Sequence, residues 1–204
     1  IALGLSARLG SFCTLGAIES AFYGENPTRL RLWGIVLATA ILGTQVGVST
    51  GHIDLGGTIY HQFAWNPLAS ILGGLVFGYG MALAGNCGFG ALVRFGGGDL
   101  RSLVVVVVMG IFGFVALSGP LAPLRIMLFP QQDATAPGGI GTDIERLSGL
   151  PAEVTAVVLA ISLLVWALAD SDLRTNPRQI AWGVLAGAVV VWCFGTTSYL
   201  ADQS

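Results

Sequence analysis

Charge is what this chain has least of. Only 10% of its 204 residues are Asp, Glu, Lys or Arg, against 54% hydrophobic, where an ordinary soluble domain carries about 25% charge. A net charge of −2 excludes a nucleic-acid partner, which needs a basic surface. Cysteine is nearly as scarce. Three residues with no Cys-x-x-Cys pair make neither a disulfide framework nor a zinc site. No secretory signal peptide stands apart from the apolar sequence around it. Gly96-Gly97-Gly98 lacks the Lys-Ser/Thr of a phosphate loop and reads as a turn. His52 and His61 flank a polar stretch with Asp54, too sparse for a metal site, so they read as solvated loop histidines.

What is present is long apolar sequence. Charge-free runs extend over Leu32–Gly51, Gln62–Val93, Ser102–Leu124, Val154–Ala169 and Gln179–Ala201, and the mean hydropathy is +0.78. Several reach the roughly 20 residues that cross about 30 Å of hydrocarbon, whereas buried strands of a soluble α/β protein run about 4–8. The expected fold is therefore an all-α polytopic membrane protein with about six hydrophobic segments. The valine-rich Leu100–Ser118 reads as a helix too, since open strand edges do not occur in lipid.

Two segments are expected to be broken. Ile1–Tyr23 carries Arg8, Gly10 and Glu19 and reads as two short helices. The run beginning at Pro67 is too long for one span and must break near Gly85-Asn86, leaving Gly88–Phe95 as a short second piece. Gly73, Gly74, Gly78 and Gly80 suit close helix contact, including Gly74-x-x-x-Gly78. Leu30–Ser49, Val154–Ala169 and Ile180–Gly195 are plain spans. Gly119–Ala152 reads as a long loop with a capping box at Thr142-x-x-Glu145.

The breaks coincide with a repeat. Gly4, Cys13 and Gly16-Ala17 recur as Gly78, Cys87 and Gly90-Ala91, with the cysteines 74 residues apart. One integral membrane domain over 1–204 is expected, with repeat units at about 1–50 and 67–120 and the remaining helices at 153–200. Glycines beside each cysteine let a solute approach the backbone. A thiol at the start of a half-helix meets free N–H groups and the positive end of the dipole, and two such half-helices aimed at one point make an anion site at membrane depth. The expected pathway residues are Cys13, Cys87, Gly10, Gly16, Gly85, Asn86, Gly88 and Gly90. Arg8 and Glu19, costly in hydrocarbon, either pair with each other or face the route. Cys193 lacks the repeat context and reads as a buried hydrophobe. No cofactor and no metal is called for.

With alternate crossings, Arg29, Arg31, Arg94, Arg101, Arg174 and Arg178 face one side and Arg125 and Arg146 the other, which makes the first side cytoplasmic.

Arg8-Leu-Gly-Ser-Phe-Cys13-Thr-Leu-Gly-Ala17, the stretch Gly73 to Gly90 around Asn86-Cys87, and Gly97-Gly-Asp-Leu-Arg101 together resemble the YeeE/YedE family of bacterial inner-membrane sulfur transporters. The resemblance covers about half the chain directly. It implies a multi-pass inner-membrane protein, not an enzyme, that takes up thiosulfate or a related small sulfur anion. The thiols would relay the anion by S–H hydrogen bonds, Cys13 and Cys87 matching two of the pathway cysteines. A TusA-like sulfur-carrier protein often accompanies the family. A third Gly-Gly-Cys motif, usual in a second half, has no counterpart here, so the chain is expected to be part of a longer transporter or a half-sized member that dimerises. Two alternatives stay open: a membrane thiol–disulfide oxidoreductase, which needs Cys13 and Cys87 within disulfide reach, and a structural membrane subunit.

Overall fold

A computed structural model describes residues 2–10, 12–24, 26–53, 66–130, 144–145 and 149–201. Among them every regular element is a helix. In chain order these are α1 (Ala2–Leu9), α2 (Thr14–Phe22), α3 (Thr28–Ser49), α4 (Pro67–Ala84), α5 (Gly88–Gly96), α6 (Leu100–Leu117), α7 (Ala122–Leu128), α8 (Ala152–Leu168), α9 (Ser171–Thr175) and α10 (Pro177–Ala201). Among the described residues, four stretches are long and apolar enough to span a bilayer: Thr28–Ser49, Pro67–Gly96 with its break, Leu100–Leu117 and Pro177–Leu200. Ala152–Leu168 is apolar but shorter. The protein is an all-α membrane protein.

The core lies where α3 meets α8 and α10, with α1 laid on α10. Leu32, Ile35 and Val36 of α3 pack with Ala167, Leu173 and Ala186, and Ala7 and Phe12 close the cluster. Glycine sets these distances. A Cβ on Gly187 would stand 2.7 Å from Thr39 Cβ and 2.8 Å from the Val36 carbonyl, and one on Gly43 2.6 Å from Val191. The pairing Gly183 to Leu32 and Ile35, Gly187 to Val36 and Thr39, and Gly43 to Val191 runs in one direction, so α3 and α10 are parallel. Gly34 meets Trp166 and Ala167, which places the end of α8 beside the start of α3 and sets the two antiparallel.

This corrects the expectation for the glycines of α4. Gly73, Gly74, Gly78 and Gly80 have nothing within 4 Å of an added Cβ, and α4 has no buried residue. The close-packing spacing is used instead by Gly183-x-x-x-Gly187, where the side chains of Leu32, Ile35 and Thr39 of the partner helix fill the notch and the Val36 carbonyl approaches Gly187.

Two further corrections concern short helices. The stretch expected to be a loop from Gly119 contains α7, with Pro123 in its first turn. Thr142 of the expected capping box lies outside the described residues, as do His61 and Asp54. Helix α9 stands between α8 and α10 because Asp170 caps it, accepting from the Asp172 N–H at 3.2 Å, while Leu173 is wholly buried beneath it. The last span also starts earlier and ends later than Ile180–Gly195, with Pro177 opening it.

Asp170 ties the same end together. Its Oδ2 accepts from Thr28 Oγ1 at 3.2 Å and lies 3.9 Å from Arg31 Nε, while the Arg31 guanidinium sits 5.7 Å over the Trp166 ring. The start of α3, the end of α8, α9 and the start of α10 therefore gather Arg29, Arg31, Arg174 and Arg178 at one end of the bundle. Arg94 and Arg101 flank the α5–α6 turn.

That turn is capped by Asp99, whose carboxylate accepts from Ser102 Oγ and from the Arg101 N–H, both at 3.0 Å. The Ser102 hydroxyl and then the Arg101 amide hold the exposed carboxyl below the usual carboxylate range. A carboxyl that ionises more readily folded than unfolded stabilises above its unfolded value of about 3.9, and the contribution is lost as pH falls through the lower folded value. Protection of the Arg101 and Ser102 amides from hydrogen exchange, taken relative to the intrinsic rate at each pH, should fall once pH drops below about 4, and Asp99→Ala should remove that dependence. Protection that stays constant across this pH range in the unmodified protein would refute the cap's role.

Candidate functional site

Helix α4 ends because Gly85 turns left-handed, at φ +62°, a conformation costly for any residue with a Cβ. Asn86 comes next and is buried, with 8% of its surface exposed. Cys87 then adopts extended geometry as the N-cap of α5, and its sulfur accepts from the Gly90 N–H at 3.2 Å. The other break has the same build. Helix α1 stops at Leu9, Gly10 donates to the Ser6 carbonyl at 2.7 Å, and Cys13 is the extended N-cap of α2 with no side-chain cap of its own. The break expected near Gly85-Asn86 and the division of the first segment are both present.

The two N-caps meet. Cys13 Sγ and Cys87 Sγ are 3.8 Å apart, within S–H···S distance. Two half-helix N-termini thus converge on a pair of thiols, bringing their N–H groups and positive dipole ends to one point.

Gly10, Gly88 and Gly90 around this point have no room for a side chain. A Cβ on Gly90 would lie 2.6 Å from Asn86 Oδ1, 3.2 Å from Cys87 Sγ and 3.4 Å from Cys13 Sγ. On Gly88 it would strike the Met109 thioether, and on Gly10 the Phe12 ring. Gly16 is looser: the nearest atoms are Arg29 Nη1 at 3.6 Å and the Cys13 side chain, its sulfur at 3.8 Å. Phe12 is buried and meets Trp33 edge-on with centroids 5.7 Å apart. With Phe89 it walls off an apolar cavity of about 180 Å³ on the α1–α10 side.

One polar atom here has no partner. Asn86 Oδ1 is buried without a hydrogen bond, beside Gly90 and the thiols. A buried amide end left unsatisfied costs about 1–3 kcal/mol, and a ligand that engages the amide removes that cost. Either end of the amide can serve after a flip, so Asn86 can offer N–H to an anion.

Arg8 and Glu19 do not pair; among the described residues the ion pair is Arg31–Asp170. Both are exposed, and the Arg8 guanidinium lies across Gly97, 2.6 Å from where its Cβ would be. The break turns α2 away from α1, which separates the two charges. Cys193 is exposed on α10, not the buried hydrophobe expected of it, because its helix turns that face away from α3. Arg29, in the sequence only a topology signal, brings Nη1 to 3.6 Å from the Gly16 Cβ position. It is thirteen positions from Gly16 and on another helix, so no local pattern marks the contact. His52 Nδ1 lies 3.1 Å from Thr50 Oγ1, and no cluster of three metal ligands occurs among the described residues.

The protein is thus a helical membrane protein with two interrupted helices that bring paired thiols, bare glycine backbone and an unpartnered amide to one point, the kind of geometry found where broken helices hold solutes. Comparison with known proteins gives the particular family. The family model described as "Sulphur transport" matches residues 9–203, and the chain belongs to that family, the YeeE/YedE group. It is 29% identical over 121 residues to a thiosulfate transporter TsuA of Spirochaeta thermophila, covering 56% of this chain and 36% of that protein. It is 28% identical over 163 residues to the Escherichia coli thiosulfate transporter TsuA, covering 80% of this chain and 44% of the relative. The chain thus spans less than half the length of these relatives.

Proposed function

We propose that this protein carries thiosulfate, or a small sulfur anion of the same kind, across the bacterial inner membrane, and that the anion passes between Cys13 and Cys87. The observation that carries this reading is the meeting of two half-helix N-caps with their sulfurs 3.8 Å apart, in a chain of the sulphur transport family. Neutral thiols serve an anion as S–H donors, whereas a thiolate would repel it. The arriving anion accepts S–H from both cysteines in turn. The backbone N–H groups at the starts of α2 and α5 stabilise it without any covalent step. The Gly90 N–H, engaged with Cys87 Sγ in the resting site, is already aimed at the spot. Asn86 adds its free amide. Low surrounding dielectric strengthens each contact, so a few weak donors suffice. The arginine-rich end of the bundle supports a cytoplasmic assignment for that side.

Uptake of labelled thiosulfate by cells that lack other thiosulfate carriers tests this. Cys87→Ala and Cys13→Ala are each expected to lower uptake by about tenfold or more, the equivalent of one lost hydrogen bond to an anion at about 1.5–3 kcal/mol. Undiminished uptake by a Cys87→Ala protein present at normal level would falsify the relay.

The same 3.8 Å approach favours a second reading, a thiol–disulfide oxidoreductase. It requires the two sulfurs to close to about 2.05 Å during turnover. In one round its two thiols would lose two protons and two electrons to an added disulfide, which leaves as two thiols; reduction of one disulfide per purified protein with formation of a Cys13–Cys87 bond, lost in Cys13→Ala, would select it over transport.

A further inference from the structure

A polar cavity of about 410 Å³ opens at the arginine-rich end, between the end of α2, the start of α3, α9 and the start of α10; Ser20, Asn26, Thr28, Arg29, Asp172 and Gln179 line it. It is separate from the thiols, yet one residue reaches toward both. Arg29 lines the cavity, and its Nη1 lies within 3.6 Å of the Gly16 Cβ position, which the Cys13 sulfur also approaches at 3.8 Å. Cys13, Gly16 and Ser20 stand at three- and four-residue steps, so they line one face of α2. That face runs from the thiol pair to the cavity.

The lining groups differ in what they have free. Ser20 Oγ donates to the Ala17 carbonyl at 3.0 Å, Thr28 Oγ1 to Asp170, and Asn26 Oδ1 accepts from the Thr28 N–H at 3.0 Å. The Arg29 side chain makes no hydrogen bond or ion pair among the described residues. Its guanidinium therefore keeps five donors in a planar fork suited to the oxygens of an oxyanion. Asp172 in the same lining keeps the field mixed, which weakens the hold; a step that must release its cargo needs that weakness.

We propose that Arg29 and this cavity form a second anion site, which takes the sulfur oxyanion from Cys13 and releases it at the arginine-rich end. This rests on the transport reading, and the experiment separates the two. In the intact protein, Arg29→Gln should raise KM for thiosulfate about fivefold or more, with the maximal rate changed less. Arg29→Lys, which keeps the charge and loses the fork, should fall between. A fall in maximal rate at unchanged KM is what lost membrane topology would give, and it would overturn the assignment; so would wild-type kinetics. Either result, with uptake still dependent on Cys87, leaves the relay standing and removes only this site.

A second measurement reads the cavity without transport. In a Cys193→Ala background, Gln179→Cys is treated with negatively and positively charged methanethiosulfonates, and modification at position 179 is followed by mass spectrometry. The anionic-to-cationic rate ratio should drop about fivefold when Arg29→Gln is added. Should Arg29→Gln not reach the membrane, the Gln179→Cys protein alone decides. A preference for the anionic reagent that shrinks as salt rises supports the site, and equal rates overturn it.

Discussion

Gly90→Ala should abolish most thiosulfate uptake, by about tenfold or more if one anion contact is lost at about 1.5–3 kcal/mol, while leaving both thiols in place. The added methyl has nowhere to go. It would lie 2.6 Å from Asn86 Oδ1 and within 3.4 Å of both sulfurs, where real Cβ contacts below 3.0 Å do not occur. Asn86 must rotate out of the site or α5 must shift, and either change disperses the donors. Helix propensity pushes the other way, since Ala is favoured over Gly by about 1 kcal/mol in a helix, so a fold-stability measurement should show little loss. The informative outcome is that separation: normal protein level and thermal stability with uptake gone. Gly96→Ala, in the same helix with open space around it, is the control and should transport normally. Equal uptake by Gly90→Ala and Gly96→Ala would mean that the space between the sulfurs is not on the route.

Oxidising the two thiols to a disulfide should close the route and should do so reversibly. With the sulfurs 3.8 Å apart and both residues in extended N-cap geometry, a small movement reaches the S–S bond length of about 2.05 Å. Diamide supplies the oxidant: two S–H groups lose two protons and two electrons, and the reagent is reduced to its hydrazine. Uptake should then fall close to the level of Cys87→Ala and recover with dithiothreitol. A peptide pair joined through Cys13 and Cys87 should appear by mass spectrometry in step with the loss. Inhibition that disappears in Cys193→Ala would point to that exposed cysteine and would count against closure at the pair. For the oxidoreductase reading the same bond is a working intermediate, so oxidation would leave activity intact.

Much of this site is legible in the sequence. A charge-free run too long for one span has to break, and glycine next to Asn86 marks the place; the left-handed Gly85 is the physical form of that signal. The cysteines come with it because a residue just after a break becomes an N-cap. Their meeting is not legible, since nothing in two similar motifs specifies that their helices approach within sulfur contact. Helix packing is ambiguous for a related reason. Gly74-x-x-x-Gly78 and Gly183-x-x-x-Gly187 have the same spacing, and only what faces them decides which is a contact. The side chains of Leu32, Ile35 and Thr39 of α3 face the second pair. Helix α9 has too few residues for a periodic pattern, although Asp170 ahead of a buried Leu173 carries its cap and anchor. Arg29 looks like a topology mark because a cation at a span end has that ordinary use, and its reach back to α2 is a tertiary fact.

The uneven packing has a mechanical meaning. Helices α3, α8 and α10 interlock through glycine notches, whereas α4 has no buried residue and α5 meets the rest through Phe89 and Val93 on the core, Arg8 on Gly97 and the sulfur facing Cys13 at the start of α2. The thiol gap lies where the starts of α2 and α5 meet, so any shift of α5 against α2 is expected to change that gap before it changes the α3–α8–α10 contacts.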